Sequence, residues 1–470
     1  MSLKPTNAVA DFITKVNFED LPEIAIRYAV DAITDCVGVA LAGSREPLAQ
    51  YVLEVLNDGG NVKGPAYLFG SRMKAGWADA ALYNGSVAHA INFDDTTHPA
   101  GSHPSTVIVP VLFSLGKRSK ANGRALITAY VAGLEIEGKL GQSLSLNRGH
   151  YNRGWHATCT FGSMGAAAAG AKLLGLNVQK VKMALSIAAS AASGLRANFG
   201  TMTKPLHAGY AARNGVLAAL LAQKGFTGAD DIFENRFGYL EVFSGIDRPK
   251  PEVFGQLGGP FEITTEYGLA LQPFPCCGAT HPAIEAATEI FKEIHCDEIQ
   301  EVVVGTSEMV QNILVFSDPQ TTYQAKFSLQ FCVAAALVKG EVKRTTFSES
   351  VLHDPAIQRM IRKIKLQVDD RVRHNSEFGA VVRVVCTSGR IVERLVELAK
   401  GKPARWLSTD EIRLKFIDCC DEVLSKKRAE IAFESIQSIE KVRTIDDIIE
   451  TLTLTRPITK TCKEVKNAIK

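Results

Sequence analysis

Two runs of small residues constrain this chain most. Gly162-Ser-Met-Gly-Ala-Ala-Ala-Ala-Gly-Ala and Ser186-Ile-Ala-Ala-Ser-Ala-Ala-Ser-Gly fall within residues 121–221, which read as one helix after another. Side chains this small let helix axes approach closely, so both runs are expected in central, buried helices. The surrounding domain is therefore expected to be nearly all helical.

Residues 8–56 read as two amphipathic helices, with apolar positions at helical spacing from Ile24 onward. A short turn at Tyr67-Leu-Phe-Gly precedes a helix over residues 76–89. The period changes after about residue 265, where Glu301-Val-Val-Val-Gly, Lys365-Leu-Gln-Val-Asp and Ala380-Val-Val-Arg-Val-Val-Cys read as strands. Thr387-Ser-Gly-Arg turns the last of these into Ile391-Val-Glu-Arg-Leu-Val as a hairpin, and helices over residues 281–294 and 326–338 would cover the sheet. Lys400-Gly-Lys-Pro looks like an exit linker, and Ser408-Thr-Asp-Glu is a capping box that opens another helical run. A chain of 470 residues exceeds the usual ceiling for one core. The expected fold class is mainly α: a large all-helical domain, residues 1–265 plus 404–470, with a smaller α+β domain, residues 266–403, inserted into it.

Charge excludes some partners. With 53 basic and 50 acidic residues the chain is near balance, and no Lys/Arg run forms a nucleic-acid footprint. The N-terminus lacks a signal-peptide core and no apolar run has the ~20 residues of a membrane helix, so a cytosolic or organelle-matrix location, with no membrane partner, is expected. Of the ten cysteines none sits in a Cys-x-x-Cys pair; Cys36, Cys159, Cys332 and Cys386 lie among apolar neighbours and read as small buried hydrophobes.

The chemistry concentrates in residues 89–105, which pack three histidines, two aspartates and two threonines before an apolar helix. One arrangement then recurs along the chain. His103, Lys204 and His281 each stand next to a proline that opens a helix, and His156 precedes another helical run. A helix N-terminus favours anions, so several such ends joined by a lysine and two imidazoles suit a substrate bearing two or three carboxylates. Histidine titrates near neutrality and can serve as acid or base, which points to proton transfer.

Blander readings stand beside this one. A histidine before a proline is often a cap or a satisfied core residue, Asp94 and Asp95 can cap a turn, and His207 and Arg213 can be structural. A metal reading draws on His89, Asp94, Asp95, His98 and His103, but their spacing matches no familiar metal motif, and no metal is expected. A thiol at Cys276-Cys277-Gly, just before a helix, can have a lowered pKa. The glycine clusters at 162–165 and 258–260 fail as dinucleotide or phosphate fingerprints, because neither lies in a strand-to-helix turn.

Taken together, these segments resemble the MmgE/PrpD family, which includes 2-methylcitrate dehydratase, cis-aconitate decarboxylase and iminodisuccinate epimerase. The resemblance rests on Asn92-Phe-Asp-Asp-Thr, Ser102-His-Pro-Ser, Gly154-Trp-His-Ala, Lys204-Pro-Leu-His-Ala-Gly-Tyr-Ala-Ala-Arg-Asn-Gly, Phe274-Pro-Cys-Cys-Gly-Ala-Thr-His-Pro-Ala and Ala325-Lys-Phe-Ser-Leu-Gln-Phe, and spans about residues 8–455. It implies a helical domain interrupted by an α+β lid, a homodimer, and neither metal nor organic cofactor. It also implies an active site lined by His103, His156, Lys204 and Thr96. Asn92 stands where one decarboxylase branch has aspartate, Gln272 where several members have a carboxylate-binding lysine, and Cys277 where that branch has histidine.

The expected function is a cofactor-independent lyase of a small di- or tricarboxylate, acting by decarboxylation or dehydration. His103 and His156 would transfer protons and Lys204 would bind carboxylate, with Asn92, Asp94, Thr96, His207, Gln272 and Cys277 around the substrate. An epimerase of an iminodisuccinate-like compound and a non-catalytic carboxylate-binding protein are the alternatives.

Overall fold

Proline sets the first boundaries in the computed structural model, which describes residues 3–60, 62–144, 149–245, 248–373, 378–452 and 454. Helix α1 (Pro5–Lys15) and helix α3 (Pro47–Asp58) both open on a proline, and α2 (Glu23–Gly43) follows directly on Pro22. The stretch expected to form two helices therefore forms three, because Pro47 has no N–H with which to continue α2. Nor is α2 amphipathic: it is buried on nearly every face, Asp31, Thr34 and Asp35 included, because later helices cover its outer side.

A short ribbon, β1 (Ala66–Tyr67) with β2 (Lys74–Ala75), leads into α4 (Trp77–Ala88). The charged stretch then runs as a loop into α5 (Pro104–Val111). Four long helices follow: α6 (Gly123–Leu144), α7 (Ala157–Leu173), α8 (Val178–Ala191) and α9 (Thr203–Gln223). The first small-residue run lies in α7 and is buried throughout. The second ends early, since α8 stops at Ala191 and residues 192–194 lead out to Gly194 at φ +100.

Close helix approach is visible at single atoms. A Cβ on Gly215 of α9 would lie 2.3 Å from the Ala166 methyl of α7, and one on Gly209 would lie 2.3 Å from the Leu82 carbonyl oxygen of α4. Only glycine allows α9 to sit this near both neighbours. Gly85 on α4 likewise meets Ala208 and Gly209, so α4 and α9 run antiparallel in contact. One helical turn beyond that crossing lie His89 on one side and Lys204 on the other.

The chain divides into two compact units, Met1–Leu271 with Ser408–Lys470, and Gln272–Leu407. The second holds α10 (His281–Phe291), β3 (Ile299–Thr306), α11 (Leu329–Lys339), β4 (Ile364–Val368), β5 (Ala380–Cys386) and β6 (Ile391–Val396). Its sheet has the order β4-β3-β5-β6, with β3 and β4 parallel and the other pairs antiparallel. The β5–β6 hairpin turns at the residues expected, and α10 and α11 pack against each other within a common core of the sheet's buried valines.

Back in the first unit, Ser408 and Glu411 form the expected capping box at α12 (Thr409–Cys420), followed by α13 (Lys426–Gln437). Both pack on α2. From α12, Lys415 reaches 2.7 Å to an Asp35 carboxylate oxygen and donates a 2.7 Å hydrogen bond to the Phe93 carbonyl, tying the charged loop to the bundle. The molecule is mainly α, and none of its described helices is long and apolar enough to cross a membrane. Cys36, Cys159, Cys332 and Cys386 are all buried.

Candidate active site

The loop from α4 to α5 is shaped by its own backbone. Asn92 adopts a left-handed φ of +54, which turns the chain back after His89. Thr96 and Ala270 exchange backbone hydrogen bonds of 2.9 and 2.8 Å, and Thr97 donates to the Ser102 carbonyl. Asp95 accepts from the backbone N–H and the hydroxyl of Ser105, in the first turn of α5. The α5 cap is therefore Asp95, and the imidazole of His103, at the N-cap position, bonds elsewhere.

That imidazole is fixed by two acceptors. Its Nδ1 lies 2.9 Å from the Asp95 carbonyl oxygen and 2.7 Å from Asp94 Oδ2. A carbonyl oxygen and an ionised carboxylate only accept, so Nδ1 carries a hydrogen and Nε2 is the nitrogen left to exchange a proton. His89 repeats the pattern, with its Nδ1 2.8 Å from the same Asp94 oxygen. Asp94 Oδ1 has no hydrogen-bond partner among the described residues. Burial alone would raise the Asp94 pKa, but the two imidazoles hold it well below the usual carboxylate range. Burial pushes His89 down to about 3 against the pull of Asp94, so this ring is neutral.

Lys204, in the first turn of α9, closes the array. Its Nζ lies 2.8 Å from His89 Nε2 and 2.9 Å from Asn92 Oδ1, both neutral acceptors. The Nζ of this buried lysine also lies 5.4 Å from the Phe199 ring centre. His156, at the N-cap of α7, donates its backbone N–H to the Gly194 carbonyl, and its Nδ1 lies 3.0 Å from Nδ1 of His207. Burial first, with the nearby Lys204 charge, holds His156 well below its ordinary value and lowers His207 to about 4. The ring of His89 is centred 4.3 Å from that of His103 and 6.0 Å from that of His156. Of the three, His103 is the partly exposed one, with 14% of its side chain accessible.

The structure thus brings His103, His156, Lys204, Asn92, Asp94 and His207 into one cluster, with Thr96 at its edge in the same loop. Gln272 and Cys277 belong to the second unit. There Gln272 is buried, Cys277 donates its N–H to the Lys326 carbonyl, and Cys276 lies 3.0 Å from the Thr280 hydroxyl. The Cys276 thiol is raised by burial but lowered further by hydrogen bonds from Cys332 and His281, to about 5 overall. Arg213 lies 3.7 Å from Asp79, an ion pair on the α9 face. Sequence reasoning gave His89 only a metal-ligand reading and missed Phe199. The dense charged window contained the signal for His89; an isolated phenylalanine after the short turn at Arg196–Asn198 carried none.

His89, Asp94 and His103 offer ligand atoms within 4.8 Å of one another, the spacing asked of a metal site. Both N···O separations are 2.7–2.8 Å, the length of charge-assisted hydrogen bonds. Ligands held at ~2.0–2.2 Å from a common ion spread wider apart than this. The arrangement fits protons, with a carboxylate between two imidazoles and a lysine on the far ring.

The profile of the MmgE/PrpD N-terminal domain matches residues 7–252 and that of the MmgE/PrpD C-terminal domain residues 274–441. The chain is 28% identical to the cis-aconitate decarboxylase-like protein oryM of Aspergillus oryzae over 477 residues, covering 94% of this chain and 96% of that protein. It is 28% identical to the cis-aconitate decarboxylase of Mus musculus over 381 residues, 78% of this chain and 76% of the relative. With the cis-aconitate decarboxylase of Aspergillus terreus it shares 25% identity over 480 residues, 95% of each.

Proposed function

Because the chain belongs to the MmgE/PrpD family, we propose that it is a lyase that decarboxylates cis-aconitate or a closely related unsaturated tricarboxylate by histidine proton transfer. The observation that carries this reading is the fixed tautomer of His103. Asp94 and the Asp95 carbonyl hold its Nδ1–H, which leaves Nε2, on the partly exposed side chain, to exchange a proton with substrate.

The chemistry balances with these groups. Loss of CO2 from the methylene carboxylate of cis-aconitate leaves an electron pair spread over an allyl system and its conjugated carboxylate. A proton added at the far allylic carbon gives an unsaturated dicarboxylate, so one proton is consumed for each CO2 released. In this reading His103, protonated at Nε2, donates that proton, and Asp94 stabilises the imidazolium before transfer. Lys204 binds a substrate carboxylate and stabilises the negative charge that develops. His156, held neutral by its surroundings, is the second proton-transfer group, with His207 setting its orientation, and Asn92 and Thr96 shape the pocket. Dehydration of a hydroxy tricarboxylate would pass through a related carbanion-like species; the decarboxylase relatives favour decarboxylation.

A homodimer belongs to the same proposal. Tyr210 and Leu217, two turns apart on α9, are exposed large apolar side chains, as are Leu195 and Met202 just before it, and a second copy would cover them. Light scattering is expected to give twice the chain mass.

The activity is tested by proton NMR of the purified protein in D₂O with cis-aconitate, 2-methylcitrate and citrate in parallel. The expected result is loss of cis-aconitate with one deuterium in the product. Conversion of 2-methylcitrate alone would make it a dehydratase instead, and no conversion of any by folded protein would overturn the lyase reading.

A further inference from the structure

Resting on that reading, we infer that His89 is a positioning residue that couples the carboxylate-binding Lys204 to the proton-donating His103 through Asp94. Four groups form one chain of contacts. Lys204 Nζ donates to His89 Nε2 at 2.8 Å, His89 Nδ1 donates to Asp94 Oδ2 at 2.8 Å, and that oxygen takes the His103 Nδ1 hydrogen at 2.7 Å.

Both ring nitrogens of His89 are used in opposite senses, one accepting and one donating. His89 is fully buried, and its ring lies 4.3 Å from that of His103. Its place follows from the α4–α9 crossing, since His89 ends α4 one turn beyond Gly85, and Lys204 opens α9 one turn before Ala208.

Two consequences follow for the reaction. His89 anchors the Asp94 carboxylate, whose second oxygen has no hydrogen-bond partner among the described residues, so without His89 that carboxylate could rotate and release the His103 tautomer. His89 also holds the Lys204 ammonium, together with Asn92, at a fixed distance from the acid. A misplacement of about 1 Å at such a site costs on the order of 10²-fold in rate.

Three substitutions separate positioning from packing and from direct proton transfer. His89→Phe keeps a flat ring and removes both contacts. His89→Gln keeps one donor for Asp94 and one acceptor for Lys204, without a titratable ring. His89→Asn keeps an arm toward Asp94 and withdraws the one toward Lys204.

With cis-aconitate as substrate, H89F should lose about 10²-fold in kcat, H89Q should recover most of that loss, and H89N should chiefly raise KM. An H89F enzyme as fast as wild type would reduce His89 to packing and overturn the inference. An H89Q enzyme as slow as H89F would make His89 itself a proton carrier and overturn it equally. Should H89F not fold, an unchanged KM in H89N overturns the Lys204 arm.

Imidazole nitrogen NMR of the protein without substrate provides the readout that needs no turnover. The His103 signal, assigned with a His103→Ala control, should show the Nδ1–H tautomer in wild type and H89Q and a mixture in H89F. If wild type fails to decarboxylate cis-aconitate but these spectra behave as expected, the reading of the substrate falls and the coupling stands. A His103 signal unchanged in H89F removes the coupling whatever the substrate.

Discussion

Nδ1 of His156 lies 3.0 Å from Nδ1 of His207. Two imidazole nitrogens this close share one hydrogen, so one ring donates and the other accepts. Burial and the nearby Lys204 charge keep both neutral through the physiological range. The contact therefore fixes a tautomer of His156 instead of storing a charge. His207→Phe keeps the ring volume and deletes the partner; turnover is expected to fall by about 10- to 100-fold with the fold intact. Steady-state kinetics decide it, and wild-type turnover in this variant would make the pair structural.

Lys204 donates to two neutral acceptors, His89 and Asn92. In the proposed reading its ammonium binds a substrate carboxylate. Lys204→Met keeps the chain length and discards the charge, and KM is expected to rise by tenfold or more. Initial rates across a substrate series measure this directly. A KM equal to that of wild type would mean that the lysine serves the fold alone.

Asp94 uses one oxygen for two imidazoles. Asparagine can offer a carbonyl oxygen in the same place but no charge to stabilise a protonated His103. Asp94→Asn is therefore expected to lower kcat by roughly 10² to 10⁴ with little effect on KM, close to the loss expected of His103→Ala. If His103→Ala abolishes turnover while Asp94→Asn leaves kcat alone, His103 acts without the carboxylate.

The helical plan was legible because it rests on short-range rules. Pro104, Pro205 and Pro282 in the first turns of helices, the first run of small residues and the Ser408–Glu411 capping box all appear in the structure where the chain announces them, whereas the helix opened by Pro47 and the early end of the second small-residue run do not. What the sequence hid depends on neighbours distant along the chain. The burial of α2 comes from α12 and α13, almost 400 residues later, which no local periodicity encodes. Proximity of the charged loop to Lys204 was expected only from resemblance, since it needs the α4–α9 crossing that Gly85 and Gly209 permit. His89 escaped for the same reason: its partner at Nε2 lies 115 residues away. The cap of α5 is also non-local, drawn from Asp95 and not from the residue that precedes the helix.

Glu137 of α6 gives the clearest stability prediction. Burial raises its carboxyl from 4.5 to about 8 despite the hydrogen bond from Ser102, and its other oxygen has no hydrogen-bond partner among the described residues. Below the unfolded value of 4.5 the group is protonated in both states and its contribution is fully present. As pH rises toward 8 the unfolded chain loses the proton while the folded protein keeps it, so stability is lost across that window, at up to about 1.4 kcal/mol per pH unit. His89 and His207, whose folded values are depressed, act in the opposite sense and only as pH falls below their ordinary value of 6.5. Glu137→Gln, neutral at every pH, should therefore gain Tm over wild type as pH rises from 6.5 to 8.5, by a few degrees. Asp95, pushed up to about 8 by burial, repels an ionised Glu137, so relief of that repulsion in the variant adds to the gap in the same direction. Thermal melts at half-unit intervals measure the gap, and a constant gap across that range would mean that Glu137 is already ionised in the folded protein.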